Sequence, residues 1–115
     1  MAGRRWVRAK SRKAIRDKVR AKTKRTRGDA MARIVADLNP MLRGWFEYVK
    51  HATPSVFKAL DGFTRRRLRA ILRKQEKRPG FGRCAADQQQ WPNAFFASLG
   101  LFTLETAWDQ ARRSR

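Results

Sequence analysis

Cysteine and histidine occur once each in the 115-residue chain, at Cys84 and His51. One of each excludes a disulfide framework and any zinc site assembled from Cys and His within the chain. A lone cysteine suits a reducing compartment, so a cytoplasmic location is expected. Acids are scarce as well, six Asp and three Glu. Asp17, Asp29, Asp37 and Asp61 are scattered as helix caps and helix-surface charges are, not gathered as metal ligands. No apolar run approaches the roughly 18 residues of a membrane span. The basic start is followed by no apolar segment, so it does not read as a secretory signal, and no membrane partner is expected. There is no Gly-x-x-x-x-Gly-Lys-Ser/Thr phosphate loop. His51 has no Ser or Cys partner in a local motif and reads as a helix-end residue. Cys84 beside Arg83 reads as a bystander in a loop-like stretch. These gaps leave no catalytic residue, metal site or cofactor to expect, and the chain is not read as an enzyme.

What is abundant is positive charge. Lys and Arg number 29, giving a formal net charge of +20. Ile, Leu, Val and Phe together number only 23, near the border at which highly charged chains fail to fold. Segregation of the charge resolves the conflict. Residues 1–28 hold 13 bases and one acid, residues 29–64 hold four of each, and residues 65–78 hold eight bases with Glu76 alone against them. Two basic blocks are thus attached to stretches of ordinary globular composition.

The apolar spacing is helical throughout. Ser11 is placed to cap a helix with Ile15 and Val19 four apart, ending toward Gly28. Asp29 is placed to cap a second, with Met31, Ile34, Val35 and Leu38 on one face. Asn39-Pro40 is expected to end it and start a third, which carries Met41, Leu42, Trp45, Phe46 and Val49. Gly44 inside that helix suggests a close approach to a neighbour. Thr53-Pro54 opens a long amphipathic helix with Phe57, Leu60, Phe63, Leu68, Ile71 and Leu72, bent at Gly62 and stopped by Pro79-Gly80. Trp91-Pro92-Asn93 begins a last apolar section, with Asn93 and Thr103 as caps and Gly100 as a stop. The expected fold is all-α, a small bundle of four to five helices with one long basic amphipathic helix. Residues 1–10 are expected to be a basic flexible arm and residues 11–115 one helical domain. Trp45 and Phe57 are expected to be buried against each other's helices.

The basic blocks point to a polyanion. On the long helix, positions 66, 69, 73 and 77 recur at three- and four-residue steps and are expected to line one side, away from Leu68, Ile71 and Leu72. Like charges at this spacing destabilise a helix by a few tenths of a kcal/mol each, and phosphates relieve that cost while releasing counterions. Arg outnumbers Lys 20 to nine, which suits bidentate phosphate contacts and stacking on bases. The candidate nucleic-acid-binding residues are Arg16, Arg20, Lys24, Arg25 and Arg27 in the first block. In the second they are Arg65, Arg66, Arg69, Arg73, Lys74, Lys77 and Arg78. Composition does not separate RNA from DNA.

Asn39-Pro40-Met41-Leu42-Arg43-Gly44-Trp45, continuing to Tyr48 and followed by Phe57-x-x-Leu60-Asp61, resembles the group II intron maturase-specific domain. This is the domain X, or thumb region, that follows the reverse transcriptase in intron-encoded proteins. Trp91-Pro92-Asn93-Ala94-Phe95-Phe96 and Gly100-Leu101-Phe102-Thr103-Leu104 resemble the C-terminal segment of bacterial members. The Ser11 to Arg27 block resembles the stretch before the motif. The resemblance runs from about residue 8 to 112. It implies a helical domain that grips folded group II intron RNA and stabilises it, the RNA being the splicing catalyst. Asn39, Pro40, Leu42, Gly44, Trp45 and Tyr48 match the motif and are read as architecture. Arg43 also matches, either as a buried ion-pair partner or as an RNA contact. The polymerase Tyr-Ala-Asp-Asp motif and the endonuclease His/Cys cluster of full-length members have no counterpart, so neither polymerisation nor DNA cleavage is expected of this chain. It is read as a fragment of a larger protein, a truncated remnant or a free-standing domain.

The expected partner is therefore group II intron RNA or another structured RNA. The alternatives are a thumb-like module docking on a separately encoded reverse transcriptase and a general basic RNA- or DNA-binding protein. Phe95, Phe96, Phe102 and Trp108 discriminate the first alternative: they either close the core or form an exposed patch for a partner.

Overall fold

Ile15 and Val19, the only apolar pair of the first basic block that is spaced for a helix, are both buried in the core. They anchor α1 (Ala9–Lys22) in a computed structural model that describes residues 8–24, 28–52, 54–76 and 85–113. The expected arm at residues 1–10 falls largely outside the described residues. Ser11 is not the cap, because Arg8 occupies the N-cap position with extended backbone and no side-chain hydrogen bond. The helix also ends well before Gly28. Thr23, fully buried, closes it by donating its backbone N–H to the Arg20 carbonyl at 3.2 Å and its hydroxyl to the Val19 carbonyl at 2.6 Å.

The two helices expected on either side of Asn39-Pro40 are one, α2 (Met31–Val49), with Pro40 inside it. An interior proline costs about 3 kcal/mol. Leu38, Leu42, Phe46 and Val49 lie on a continuous stripe across the proline and are all buried, so burial of that stripe offsets the lost hydrogen bond. Asp29 is not the cap, which is Ala30 without a side-chain bond. Instead, the Asp29 carbonyl accepts the Gln75 side-chain amide at 2.9 Å, tying the α1–α2 connection to the far end of the third helix. A Cβ added at Gly44 would meet nothing within 4 Å. The close helix approach expected there is absent because Gly44 faces solvent.

α3 (Pro54–Gln75) starts on its proline, as a first-turn proline should, and runs unbroken through Gly62 for 22 residues. Its partner on α2 is Phe46, not Trp45. The Phe46 and Phe57 rings lie 5.6 Å apart, and the Phe102 ring lies 6.1 Å from Phe46. Trp45, one position along, is rotated to the edge of the core and is half-buried.

Three short helices complete the chain: α4 (Ala85–Gln90), α5 (Asn93–Ser98) and α6 (Leu104–Arg113). α4 was not expected from its polar sequence. Gly100, with φ of +88°, ends α5. The Leu101 N–H returns to Phe96 O and the Gly100 N–H to Ala97 O, a glycine-dependent helix stop. Two side chains then lock the closing segment onto the bundle. Asn39 donates to the Gly100 carbonyl at 2.9 Å and accepts the Phe102 N–H at 2.7 Å. Asp61 on α3 accepts the N–H groups of Leu104 and Glu105, each at 2.9 Å. Asp61 thus does from a distance the capping work expected of Thr103. Phe96, Leu101 and Leu104 are buried, while Phe95, Phe102 and Trp108 pack half-buried against the same core. The fold is an all-α bundle with no strand among the described residues. No described helix is long and apolar enough to cross a membrane.

Candidate nucleic-acid interface

α1 carries seven bases and one acid. Its apolar face holds only Ile15 and Val19, so nearly every basic side chain is turned outward. Asp17 is taken up within the helix, accepting Lys13 at 2.9 Å and Arg20 at 2.8 Å. The Lys13 hydrogen bond, joined by the charges of Lys13 and Arg20, holds the Asp17 carboxyl below its usual range. Arg16 and Arg20 both lie over the ring of Phe63 on α3, at 5.3 and 5.1 Å from its centre. One half-buried phenylalanine thereby orients two guanidiniums at the α1–α3 junction. Lys24 is exposed just past the helix end, whereas Arg25 and Arg27 lie outside the described residues.

The second basic block divides by helix face. Arg67 reaches across to α1, where Nε donates to the Thr23 hydroxyl at 3.1 Å and Nη2 to the carbonyls of Thr23 and Arg20 at 3.1 and 3.3 Å. It satisfies the orphan carbonyls at the α1 C-terminus and brings together two basic segments that are more than 40 residues apart in the chain. Burial, and then the charge of Arg20, pulls the Arg67 guanidinium below its ordinary pKa.

Arg69 does not line an open side. It is 5% exposed, donates to the Trp91 carbonyl at 2.8 Å and to the Asn93 side chain at 3.0 Å, and covers the Phe96 ring at 5.4 Å. Asn93 therefore serves as an acceptor for Arg69 and makes no cap. Arg73 is drawn to the fully buried Asp87 of α4 by a 2.6 Å ion pair. The arc through positions 69 and 73, expected to face solvent, is covered by α4 and α5. Lys77 and Arg78 lie outside the described residues.

Of the second basic block, what remains open on α3 is Arg66 and Lys74, both exposed, with Arg65 partly so. Arg65, Arg66 and Arg69 line a shallow basin of about 530 Å³ against Gln88, Pro92 and Asn93. Burial lowers the Arg69 pKa first, and the like charges of Arg65 and Arg66 lower it further, with Asp87 opposing. Guanidiniums close enough to disfavour each other's charge form a place where an anion is stabilising. Arg43 is not in a buried ion pair: it is exposed, with its guanidinium 5.6 Å from the Phe102 ring centre. Exposed Arg12 joins the same cationic surface one turn before Arg16, while Lys18 is exposed on another side of α1. Their even scatter around the helix gave no single stripe by which to pick them out. Tyr48 is 75% exposed, so this matching motif residue plays no part in the core.

The family model for the group II intron maturase-specific domain matches residues 12–91. The match covers α2, α3, α4 and all of α1 after its first three residues, and includes most of the basic surface just described. The chain belongs to this family, which gives it a maturase-related function in group II intron splicing. Comparison with curated proteins and with solved structures gives no match.

Proposed function

We propose that this domain binds folded group II intron RNA and assists splicing by stabilising the RNA, without polymerase or endonuclease chemistry of its own. The observation that carries this reading is the junction of α1 and α3. Arg16 and Arg20 are stacked on Phe63, and the Arg65–Arg66–Arg69 basin lies farther along α3. A folded RNA crowds phosphates together, and a surface of crowded guanidiniums binds that state more tightly than an open one, which shifts the RNA toward it. The reading places RNA contacts on Arg16, Arg20, Lys24, Arg65, Arg66 and Lys74. Arg69 and Arg73 contribute charge from behind while their hydrogen bonds go to protein.

Docking on a separate reverse transcriptase has less to stand on. Phe95, Phe96, Phe102 and Trp108 pack on the core, leaving Tyr48 as the exposed large hydrophobic residue among those described.

The test is binding to a folded group II intron, against unrelated duplex RNA and DNA, over a salt series. Each lost phosphate contact should reduce the slope of log K against log salt by about 0.7–0.9. Replacing Arg65, Arg66 and Lys74 together by Gln should flatten it by about 2–3 while the thermal melt is kept. A folded triple variant with unchanged affinity and slope would remove this surface from the RNA interface.

A further inference from the structure

The rotation of Trp45 away from the Phe46–Phe57 contact leaves an opening. Between α1, Trp45 of α2 and the first two turns of α3 lies a cleft of about 250 Å³. Its walls are Trp45, Ile15, Val56 and Leu60, and Arg12 and Arg16 stand at its mouth. Ile15 and Leu60 are buried and Trp45 and Val56 half-buried, so the cleft is apolar inside and open at one side. No acid lines it. Among the described residues neither Arg12 nor Arg16 forms an ion pair, and Arg16 is steadied at the rim by the Phe63 ring at 5.3 Å.

From this arrangement we infer that the cleft takes one unpaired nucleotide of the bound RNA, its base beside Trp45 and its phosphate at Arg12 and Arg16. Three features select that occupant. A flat aromatic wall with apolar neighbours suits a base extruded from its stack, and every base offers a π-face. Two cations at the mouth match the phosphate that such a base carries with it. The volume falls just under the roughly 300–1,000 Å³ of drug-sized ligand sites, which leaves room for a single base. Ser55 at the rim supplies a hydroxyl able to donate or accept. The inference rests on the RNA-binding reading and adds to it a base stack, which the counterion rule for phosphate contacts does not govern. Phosphate contacts position the protein on any folded RNA. A captured nucleotide selects RNAs that expose one at the right place.

Ala59 permits a test that leaves the core alone, because it lines the cleft yet is exposed. Two RNA hairpins are compared, one fully paired and one with a single bulged 2-aminopurine, whose fluorescence falls on stacking. The wild-type protein should bind the bulged hairpin roughly 5- to 150-fold more tightly, the range of a base–aromatic stack, and should quench the probe. Ala59→Trp, which fills the cleft, should abolish both effects while its melt, its affinity for the paired hairpin and its salt slope stay unchanged. Arg12→Gln should weaken the bulged complex more than the paired one. Equal binding of the two hairpins by wild type, or a preference that survives Ala59→Trp, overturns the cleft proposal and leaves the RNA-binding reading standing. Failure to bind either hairpin or the intron overturns both. If a polyglutamate peptide binds wild type and loses affinity in Ala59→Trp while the bulged hairpin does not, the cleft takes an acidic peptide and the nucleotide is excluded.

Discussion

Asp61, buried in the middle of α3, holds the N-terminus of α6 by accepting the Leu104 N–H at 2.9 Å through one oxygen and the adjacent Glu105 N–H through the other. A carboxylate at a helix N-terminus also meets the positive end of the helix dipole. Asp61→Ala should cost about 1–3 kcal/mol, the range for a lost cap that leaves buried donors unpaired. Urea unfolding measures the loss, and amide exchange should accelerate first in α6.

The same group sets a pH dependence. Burial raises the Asp61 carboxyl above its ordinary value, against its two backbone hydrogen bonds and the charge of Arg65. An acid whose folded pKa is raised binds its proton more tightly in the folded state. Its contribution favours the fold below the unfolded value, about 3.9, and is lost as pH rises through the raised one. Wild-type stability measured relative to Asp61→Asn should therefore decline as pH climbs through that window. A difference that is flat, or that grows with pH, would contradict the assignment.

Phe57 and Trp45 should separate in a mutational comparison. Phe57 has no exposed surface and packs its ring tilted against Phe46, whereas Trp45 lines the open cleft. Phe57→Ala should lose about 3–5 kcal/mol and Trp45→Ala clearly less. Equal losses in urea titrations would place Trp45 in the core after all.

Arg67→Met keeps much of the aliphatic stem but removes three hydrogen bonds to the end of α1. The expected loss is about 1–3 kcal/mol, with faster amide exchange confined at first to the last turn of α1. Arg67→Lys should recover little, since one ammonium cannot reproduce the fork. Full recovery by lysine would show that charge, not geometry, is what Arg67 supplies.

Asp87→Ala strips Arg73 of its 2.6 Å partner. Because Arg73 keeps partial access to water, the cost should fall toward the lower end of the range for a broken buried pair, about 3 kcal/mol. Loss of this pair should not weaken RNA binding at low temperature, where the variant stays folded. A large loss of affinity with an intact fold would instead make α4 part of the RNA surface.

Helical spacing and charge segregation determined much of this protein without reference to its fold. Ile15 with Val19, the 31–38 and 42–49 faces, and Phe57 through Ile71 each mark a buried stripe because a 3.6-residue period places them on one side. The two basic blocks were equally legible, since charge is a property of composition. Tertiary structure decided which side of each helix reaches water and which caps are used. Pro40 sits inside α2 because core residues on both sides of it are buried together. Arg69 and Arg73 turn inward because α4 and α5 cover their arc and offer the Trp91 carbonyl, Asn93 and Asp87 as partners. Asp61, Asn39 and Arg67 do their capping and latching across more than 40 residues of chain. No local pattern encodes such a pairing, because a hydrogen bond of this kind exists only once packing has brought its two ends within 3 Å or so.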